Sequence, residues 1–598
     1  MIESIKKKSY EIAIVSVCVA VFCIFISMKE GYHMDELLSF ELSNAEFNPW
    51  IVTTQPEGRL AKFVHNEIDG DTFGETMGNL AETVGDVLRN RGNSKLLSYT
   101  ADVYEEPVWI TSEQFSDYIT VEGRDAFNYL SVYFNVKDDN HPPLHFMLLH
   151  TVSSLFQGNI SPWMGCVINL GAVTGILILL YKISALLAPA LGLGDSGRPL
   201  GLMAALFYGL STGAVATVLL IRMYGLVTLW CVLYFYLIVK KWQDSSFDRK
   251  NGKLILVTML GFWTQYFFLF YCLLLAATAA VCLWKSRRRR ELFCFVRSML
   301  IAALAGLGLF PFAIADVFSS GRGVEALGNL SQGLAGYGTR LSAFGSLLFQ
   351  RSMGRYVFVL ALALWGLGMA KKFSGQKTEK TGRAGKLWKE DAERAGKIES
   401  RAVLWMLLLP PIGYFLLAAR MSPYLVDRYI MPLFPFAALI LMTGIFALLK
   451  GIYKRYEVRQ TKSMGAVVCG ALILFQVWNL VCYDGSYLYR GYSRQEAVAE
   501  YYADYPCICV YDGVRYYENL LEFTHYNKSL LLTLEELEHR TEKESIRESG
   551  NMAVLVKSGV DEIRVLEILI EDYGFSLEQE VEFDSGAYGD RIFILGKR

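Results

Sequence analysis

The sequence predicts a polytopic all-α membrane protein of about eleven spans with a small extracytoplasmic α/β domain at its C-terminal end, on three observations. Of the 598 residues, 53% are hydrophobic and the mean hydropathy is +0.29, beyond the soluble range. Apolar runs long enough to cross a bilayer alternate with short basic segments. After Cys482 the composition turns soluble.

Taken in order, Lys6, Lys7 and Lys8 precede the apolar run Ile12 to Met28. No small-x-small cleavage site follows, so this run reads as a retained first helix with a cytoplasmic N-terminus. Lys29 to Asn140 is polar, with more than two acidic residues for each basic one, and holds no run of spanning length, which predicts a large outer loop. Pro142 to Phe156 is apolar but short for a span, as a juxtamembrane or re-entrant helix would be. Further spans are expected at Ile160 to Tyr181, Leu200 to Leu220, Tyr224 to Val239, Leu254 to Tyr266, Phe267 to Trp284, Leu292 to Ala315, Met353 to Ala370, Ala402 to Ala419, Met431 to Leu449 and Ser463 to Cys482. The basic segments Lys240 to Lys253, Lys285 to Arg290, Lys371 to Arg401 and Lys450 to Lys462 then all fall on the cytoplasmic side, and odd parity puts the C-terminus outside. Basic flanks around Leu254 to Trp284 require two crossings, so two short helices turning near Gln265 are expected there. The Gly-rich stretch Ser319 to Gly345 reads as an outer surface loop or a mobile cover.

Domain boundaries follow: 1–482 spans the membrane, with 29–159 as its first outer loop and juxtamembrane helices, and 483–598 forms the α/β domain. Within the latter, Ile508 to Tyr511 and Ala553 to Val556 read as buried strands, Glu580 to Phe583 and Arg591 to Leu595 as closing strands, and Val514 to Phe523 and Asp561 to Tyr573 as helices. It carries no Gly-rich phosphate loop. The net charge of -1 and the lack of a basic recognition helix argue against nucleic acid as a partner. Eight of the eleven cysteines lie in apolar runs, and neither a disulfide framework nor zinc spacing is evident.

Two stretches carry chemistry: the acidic pair Asp35-Glu36 just after the first span, and Asp138-Asp139-Asn140-His141-Pro142-Pro143-Leu144-His145 before the juxtamembrane helix. With Ile221-Arg222-Met223-Tyr224, Trp263-Thr264-Gln265-Tyr266 and Asp427-Arg428-Tyr429-Ile430-Met431-Pro432, this order resembles the C-type glycosyltransferases, and among them protein O-mannosyltransferases and the bacterial relatives of glycosyltransferase family 39. The resemblance covers roughly Ile12 to Cys482. The family often has His where Gln265 stands.

The resemblance implies a sugar donor carried on a polyprenyl phosphate and attacked by an acceptor hydroxyl on the outer face. Such a site needs a base, positive charge for the departing phosphate and a groove for the lipid tail. Asp35 is the candidate base, with Glu36 orienting groups or holding the loop. The competing reading is two solvated acids past a helix end. Arg222 and Arg428, with Tyr224 and Tyr429 in the same motifs, suit the phosphate and sugar, because guanidinium forks match phosphate oxygens and outer-end cations run against the positive-inside bias. Snorkelling to headgroups is the plainer alternative. His141, stiffened by the two prolines after it, can donate to phosphate or sugar. Asp138 and Asp139 beside a His invite a divalent metal, against ordinary turn chemistry; no cofactor is otherwise implied. His145 and His150 read as interfacial polar tips, and the aromatic stretch Trp263 to Tyr271 as either a lining for the lipid tail or an interfacial belt.

The function expected is transfer of sugar from polyprenyl phosphate to an acceptor hydroxyl, with inversion at the anomeric carbon by single displacement. The rival from another class is a transporter or flippase of polyprenyl-linked sugars, which predicts inverted repeats and midplane charge; neither is visible here. A non-catalytic envelope scaffold leaves the His-Pro-Pro-Leu arrangement unexplained. Sugar, acceptor and lipid length are not written in the sequence.

Overall fold

A computed structural model describes residues 2–331, 336–354, 386–456, 461–541, 543–581 and 589–597, mostly as helices, with one six-stranded sheet. The chain divides into two compact units. The first holds residues 1–28, 137–145 and 166–486, and the second 29–136, 146–165 and 487–598.

The first unit carries the hydrophobic helices. Among the described residues, seven helices are long and apolar enough to cross a membrane, as expected of a multi-pass membrane protein: Tyr10–Ser27 within α1 (Ile2–Ser27), Pro162–Ala190, Tyr224–Gln243, Phe268–Lys285, Arg289–Leu309, Ser400–Met421 and Asp427–Lys450. An eighth expected span is a broken pair, Gly194–Gly209 and Thr212–Leu219, bent by 60°. Ser211 makes the break: its hydroxyl donates to the Tyr208 carbonyl at 2.6 Å and accepts from the Ala214 amide at 3.1 Å, capping the second helix. Two further expected spans are short apolar helices, Gly252–Thr264 and Val467–Val481, and the one at Met353 to Ala370 falls almost wholly outside the described residues.

The turn expected near Gln265 is present. Gly252–Thr264 ends at Gln265 in extended backbone, and the next helix starts at Phe268. Gly261 permits the tight return, since a Cβ there would lie 2.5 Å from the Phe268 ring. Ser319 to Gly345 is not the loop the sequence suggested. Its described part is helical over Gly321–Ser331 and again from 337 onward, and the first helix is started by Ser320, whose hydroxyl accepts from the Gly323 amide at 3.1 Å.

In the second unit the sheet runs β1-β3-β2-β4-β6-β5: β1 is Ile110–Thr111, β2 Cys507–Tyr511, β3 Lys528–Thr533, β4 Met552–Val556, β5 Phe575–Val581 and β6 Arg591–Lys597. β3, β2 and β4 are parallel and buried on both faces, which is why they read as continuous apolar runs rather than alternating ones. Ile508, Val510, Leu530, Leu532, Val554 and Phe593 form the centre of one side's core. Cys507 and Cys509 share a face of β2, and all eleven cysteines are free.

β1 comes from the first loop and pairs antiparallel with β3, Ile110 opposite Ser529. More ties bind the loop to the C-terminal segment within this unit: the Arg540 guanidinium donates to the Pro107 carbonyl at 2.9 Å and the Tyr516 hydroxyl to the Ile51 carbonyl at 3.2 Å. The loop is therefore structured, with α2 (Met34–Asn44), α3 (Arg59–Glu67) and a longer helix over Phe73–Asn90.

Candidate functional site

The motifs of the first unit converge. Asn169, on the helix Pro162–Ala190, donates to the carbonyls of Leu220 at 2.5 Å and Arg222 at 3.3 Å, holding the turn that carries Arg222. Gly225 gives it room: a Cβ there would lie 2.4 Å from Asn169 Oδ1. Arg222 is only 4% exposed, unlike a side chain that snorkels to lipid headgroups. Its charge acts on Asp139 and His145, which joins the Asp138-Asp139-Asn140-His141 stretch to the Arg222 turn.

His141 Nδ1 lies 2.9 Å from Asp139 Oδ2. Burial alone would raise the Asp139 carboxyl, but His141 and Arg222 outweigh it and hold Asp139 below its usual range. Asp139 thus orients the His141 ring and leaves Nε2 as the outward nitrogen. Among the described residues it joins no three-ligand metal group, and the Asp138 side chain is outside them.

His145 and His150 are not interfacial tips. Both are buried on the helix Leu144–Leu155, at 0% and 1% exposure. Burial, then Arg222 and His141, push His145 down to about 3, so it stays neutral at ordinary pH. His150 packs against the Tyr129 ring at 5.8 Å, and burial lowers it as well. The helix turns both histidines to its buried side while Leu155 stays exposed.

Aromatic contacts bring the third and fourth motifs to the same place. Tyr429, in the 3-10 helical segment Asp427–Leu433, meets Tyr224 edge-on at 6.2 Å and stacks on Phe267 at 5.4 Å, while its carbonyl accepts from the Tyr414 hydroxyl at 2.9 Å. Arg428 is half-buried, with its guanidinium 5.6 Å from the Tyr429 ring. Gln265 is buried at the helix break, and the neighbouring Tyr266 hydroxyl donates to Asp316 at 2.6 Å and feels the charge of Asp139. In the first unit, then, His141, Arg222, Tyr224, Arg428 and Tyr429 lie on segments linked by these contacts. These segments carry two guanidinium groups, an imidazole oriented by Asp139 and aromatic faces, groups of the kind that can hold an anion.

Asp35 and Glu36 belong to the second unit, in the first turn of α2, where acidic side chains favour the helix dipole. They have separate jobs. Glu36 is fully buried, accepts from the His33 amide at 2.8 Å, and pairs with Lys29 Nζ at 3.0 and 3.2 Å. Lys29 also donates to the Tyr487 carbonyl at 2.8 Å and lies 4.5 Å from the Tyr489 ring centre. Glu36 is therefore the pin that holds the start of the loop. The Asp35 carboxylate keeps 19% exposure and lies 3.6 Å from His33 Nδ1, accessible to a proton donor as a base must be.

Sequence reasoning missed Lys29 and Arg351. Arg351 Nε donates to Asp427 at 2.6 Å, and its other nitrogens reach Asp484 at 3.2 Å and the Ser486 hydroxyl at 2.7 Å, fixing the acidic neighbour of Arg428. The signal that selected Arg222 and Arg428, a guanidinium at the end of an apolar run away from the basic segments, applies equally to Arg351. Lys29 could have been found as the lone cation closing the first span, seven residues before Glu36.

No protein-family profile matches the sequence, and no curated protein does. Among solved structures the chain is similar to ArnT from Cupriavidus metallidurans bound to undecaprenyl phosphate, with a TM-score of 0.49 and 12% identity over 98% of this chain and 97% of that one. It is also similar to the apo state of that protein, with a TM-score of 0.38 and 13% identity over 81% of this chain and 91% of the other.

Proposed function

We propose that this chain is an integral membrane glycosyltransferase that moves a sugar from a polyprenyl-phosphate donor to an acceptor hydroxyl. The observation that carries the reading is the assembly, in one unit, of Arg222, Arg428 and an Asp139-oriented His141 on the motifs that resemble C-type glycosyltransferases. In this mechanism the acceptor oxygen attacks the anomeric carbon as its proton passes to Asp35. The bond from that carbon to the phosphate oxygen breaks, and the phosphate leaves with the electron pair. Arg222 and Arg428 stabilise the negative charge that grows on it, and His141 Nε2 donates to phosphate or sugar. A single displacement inverts the anomeric centre. The bond energy resides in the sugar-phosphate link, so neither a nucleotide nor a second compartment is needed.

Purified chain in detergent is expected to hydrolyse polyprenyl-phosphate-sugar slowly, water replacing the acceptor, and to leave nucleotide sugars intact. Arg222→Ala should raise the KM for donor roughly ten- to a hundredfold, the cost of about 1.5–3 kcal/mol for a lost charge-assisted hydrogen bond. Lack of hydrolysis in a preparation that moves labelled polyprenyl-linked sugar across liposome bilayers would transfer the case to the flippase.

The membrane orientation belongs to the same proposal: N-terminus inside, first loop and C-terminal segment outside, supported by the sidedness of the basic segments. With the exposed Cys482 replaced by Ser, cysteines introduced at the exposed Thr100, Asp244 and Glu544 report it. An impermeant thiol reagent added to intact cells should label the first and third only; labelling at Asp244 would overturn the arrangement.

A further inference from the structure

A second cluster of ligating side chains lies entirely within the first loop, in the second unit. Glu46 follows α2, His65 sits in the last turn of α3, and Asp69 lies just past it, where its amide donates back to the Val64 carbonyl at 2.9 Å. One ligand atom from each of the three lies within 4.8 Å of the others. His65 Nε2 and Glu46 Oε2 are 2.7 Å apart. A tetrahedral ion with bonds near 2.0–2.1 Å separates its ligands by about 3.3 Å, so the His65–Glu46 pair has to open slightly, and any pair wider than that, none above 4.8 Å, has to close.

Glu46 and His65 also line a cavity of about 670 Å³. Its other walls include Glu57, Asp117, Glu122 and Asp125, and among the described residues lining it Lys62 is the one other basic group. Negative charge is in excess there: burial, then Glu122, Glu113 and Glu46, push Asp117 up to about 6. A divalent cation at this wall would offset that excess and keep a coordination position open to the cavity.

We propose that Glu46, His65 and Asp69 bind a borderline divalent cation of the Zn²⁺ type, one imidazole nitrogen and two carboxylate oxygens leaving a further position facing the acid-lined cavity. One nitrogen and two oxygens suit zinc, whereas calcium seeks six to eight oxygens, more than this cluster offers. The ion takes the place of the hydrogen bond between His65 and Glu46.

The test uses the full chain in detergent, with Cys482 replaced by Ser, stripped with chelator and dialysed against Zn²⁺ or Co²⁺. One equivalent of Zn²⁺ should be retained, and Co²⁺ should give visible bands of tetrahedral intensity without thiolate charge transfer. His65→Ala, and the near-isosteric Asp69→Asn and Glu46→Gln, should each weaken retention by roughly tenfold or more with circular dichroism unchanged. The proposal fails if the unsubstituted chain retains no Zn²⁺, if the Asp69→Asn and Glu46→Gln proteins bind as tightly as it does, or if equimolar Ca²⁺ displaces the Zn²⁺. None of these readouts depends on sugar transfer, so they stand apart from the proposed enzymatic reaction.

Discussion

Asp35→Asn is expected to lower turnover by roughly a hundredfold or more while the affinity for donor stays as it was. Asn preserves the size of the side chain and the α2 cap, which is made by the His33 ring and by Glu36 rather than by the Asp35 carboxylate. What it removes is the acceptor that the proposed mechanism requires for the proton of the attacking hydroxyl. Single-turnover transfer from labelled donor separates the chemical step from binding, and the loss should appear wholly in that step. Glu36→Gln gives the contrast. It leaves Lys29 buried without its counter-charge, so it should lower stability and expression before it touches the rate constant of correctly folded protein. Normal turnover in Asp35→Asn would make the acidic pair structural and remove the base from the mechanism.

The largest stability effect is expected at Lys557. Its ammonium is fully buried in the C-terminal part of the second unit and donates to Glu518 at 2.8 Å, to Asn519 at 2.7 Å and to Asp590. Lys557→Met keeps the length and apolar stem of the side chain but strands two buried carboxylates, a loss of about 3–5 kcal/mol. Replacing Glu518 by Gln and Asp590 by Asn in the same protein should restore part of it, because the penalty lies in the orphaned charges. Hydrogen exchange read on peptides covering β2 and β4 measures the change where it acts, and protection in Lys557→Met should fall by a hundredfold or more for about 3 kcal/mol. Unchanged exchange would mean that water or a neighbour such as Arg515, 3.7 Å from Glu518, already compensates the network.

Periodicity and charge alternation made the helical part legible, because in a bilayer the backbone has few options and the spacing of apolar runs nearly dictates it. The two-helix turn at Gln265 came from parity alone, and the structure has it at that residue. Strands β2 and β4 were readable as short apolar runs, but Lys528 to Thr533 was not: Ser-Leu-Leu-Leu carries no β-branched residue, and leucine favours helices in isolation. β1 was invisible because two residues gain strand geometry only from their partner. In the candidate site, the motif residues Arg222, Tyr224, Arg428 and Tyr429 were singled out by position, whereas their supports Asn169 and Arg351 were not. A support is defined by what it touches, and one sequence without its fold does not hold that information. His145 and His150 were misjudged for a related reason: the length of an apolar run says nothing of what covers it.

The antiparallel pairing of Ile110 with Ser529 has a consequence for how the protein is made. At translation rates of about 5–20 residues per second, the partner strand emerges roughly 20–85 s after β1. For that interval the residues of α2, α3 and the acid-lined cavity are present without the C-terminal sheet of the same unit, and nearly every hydrophobic helix is synthesised in between. The first loop is thus a waiting half-domain, held open to folding factors and proteases until the last hundred residues arrive. A chain cut short after its final span would leave that half without its partner for good.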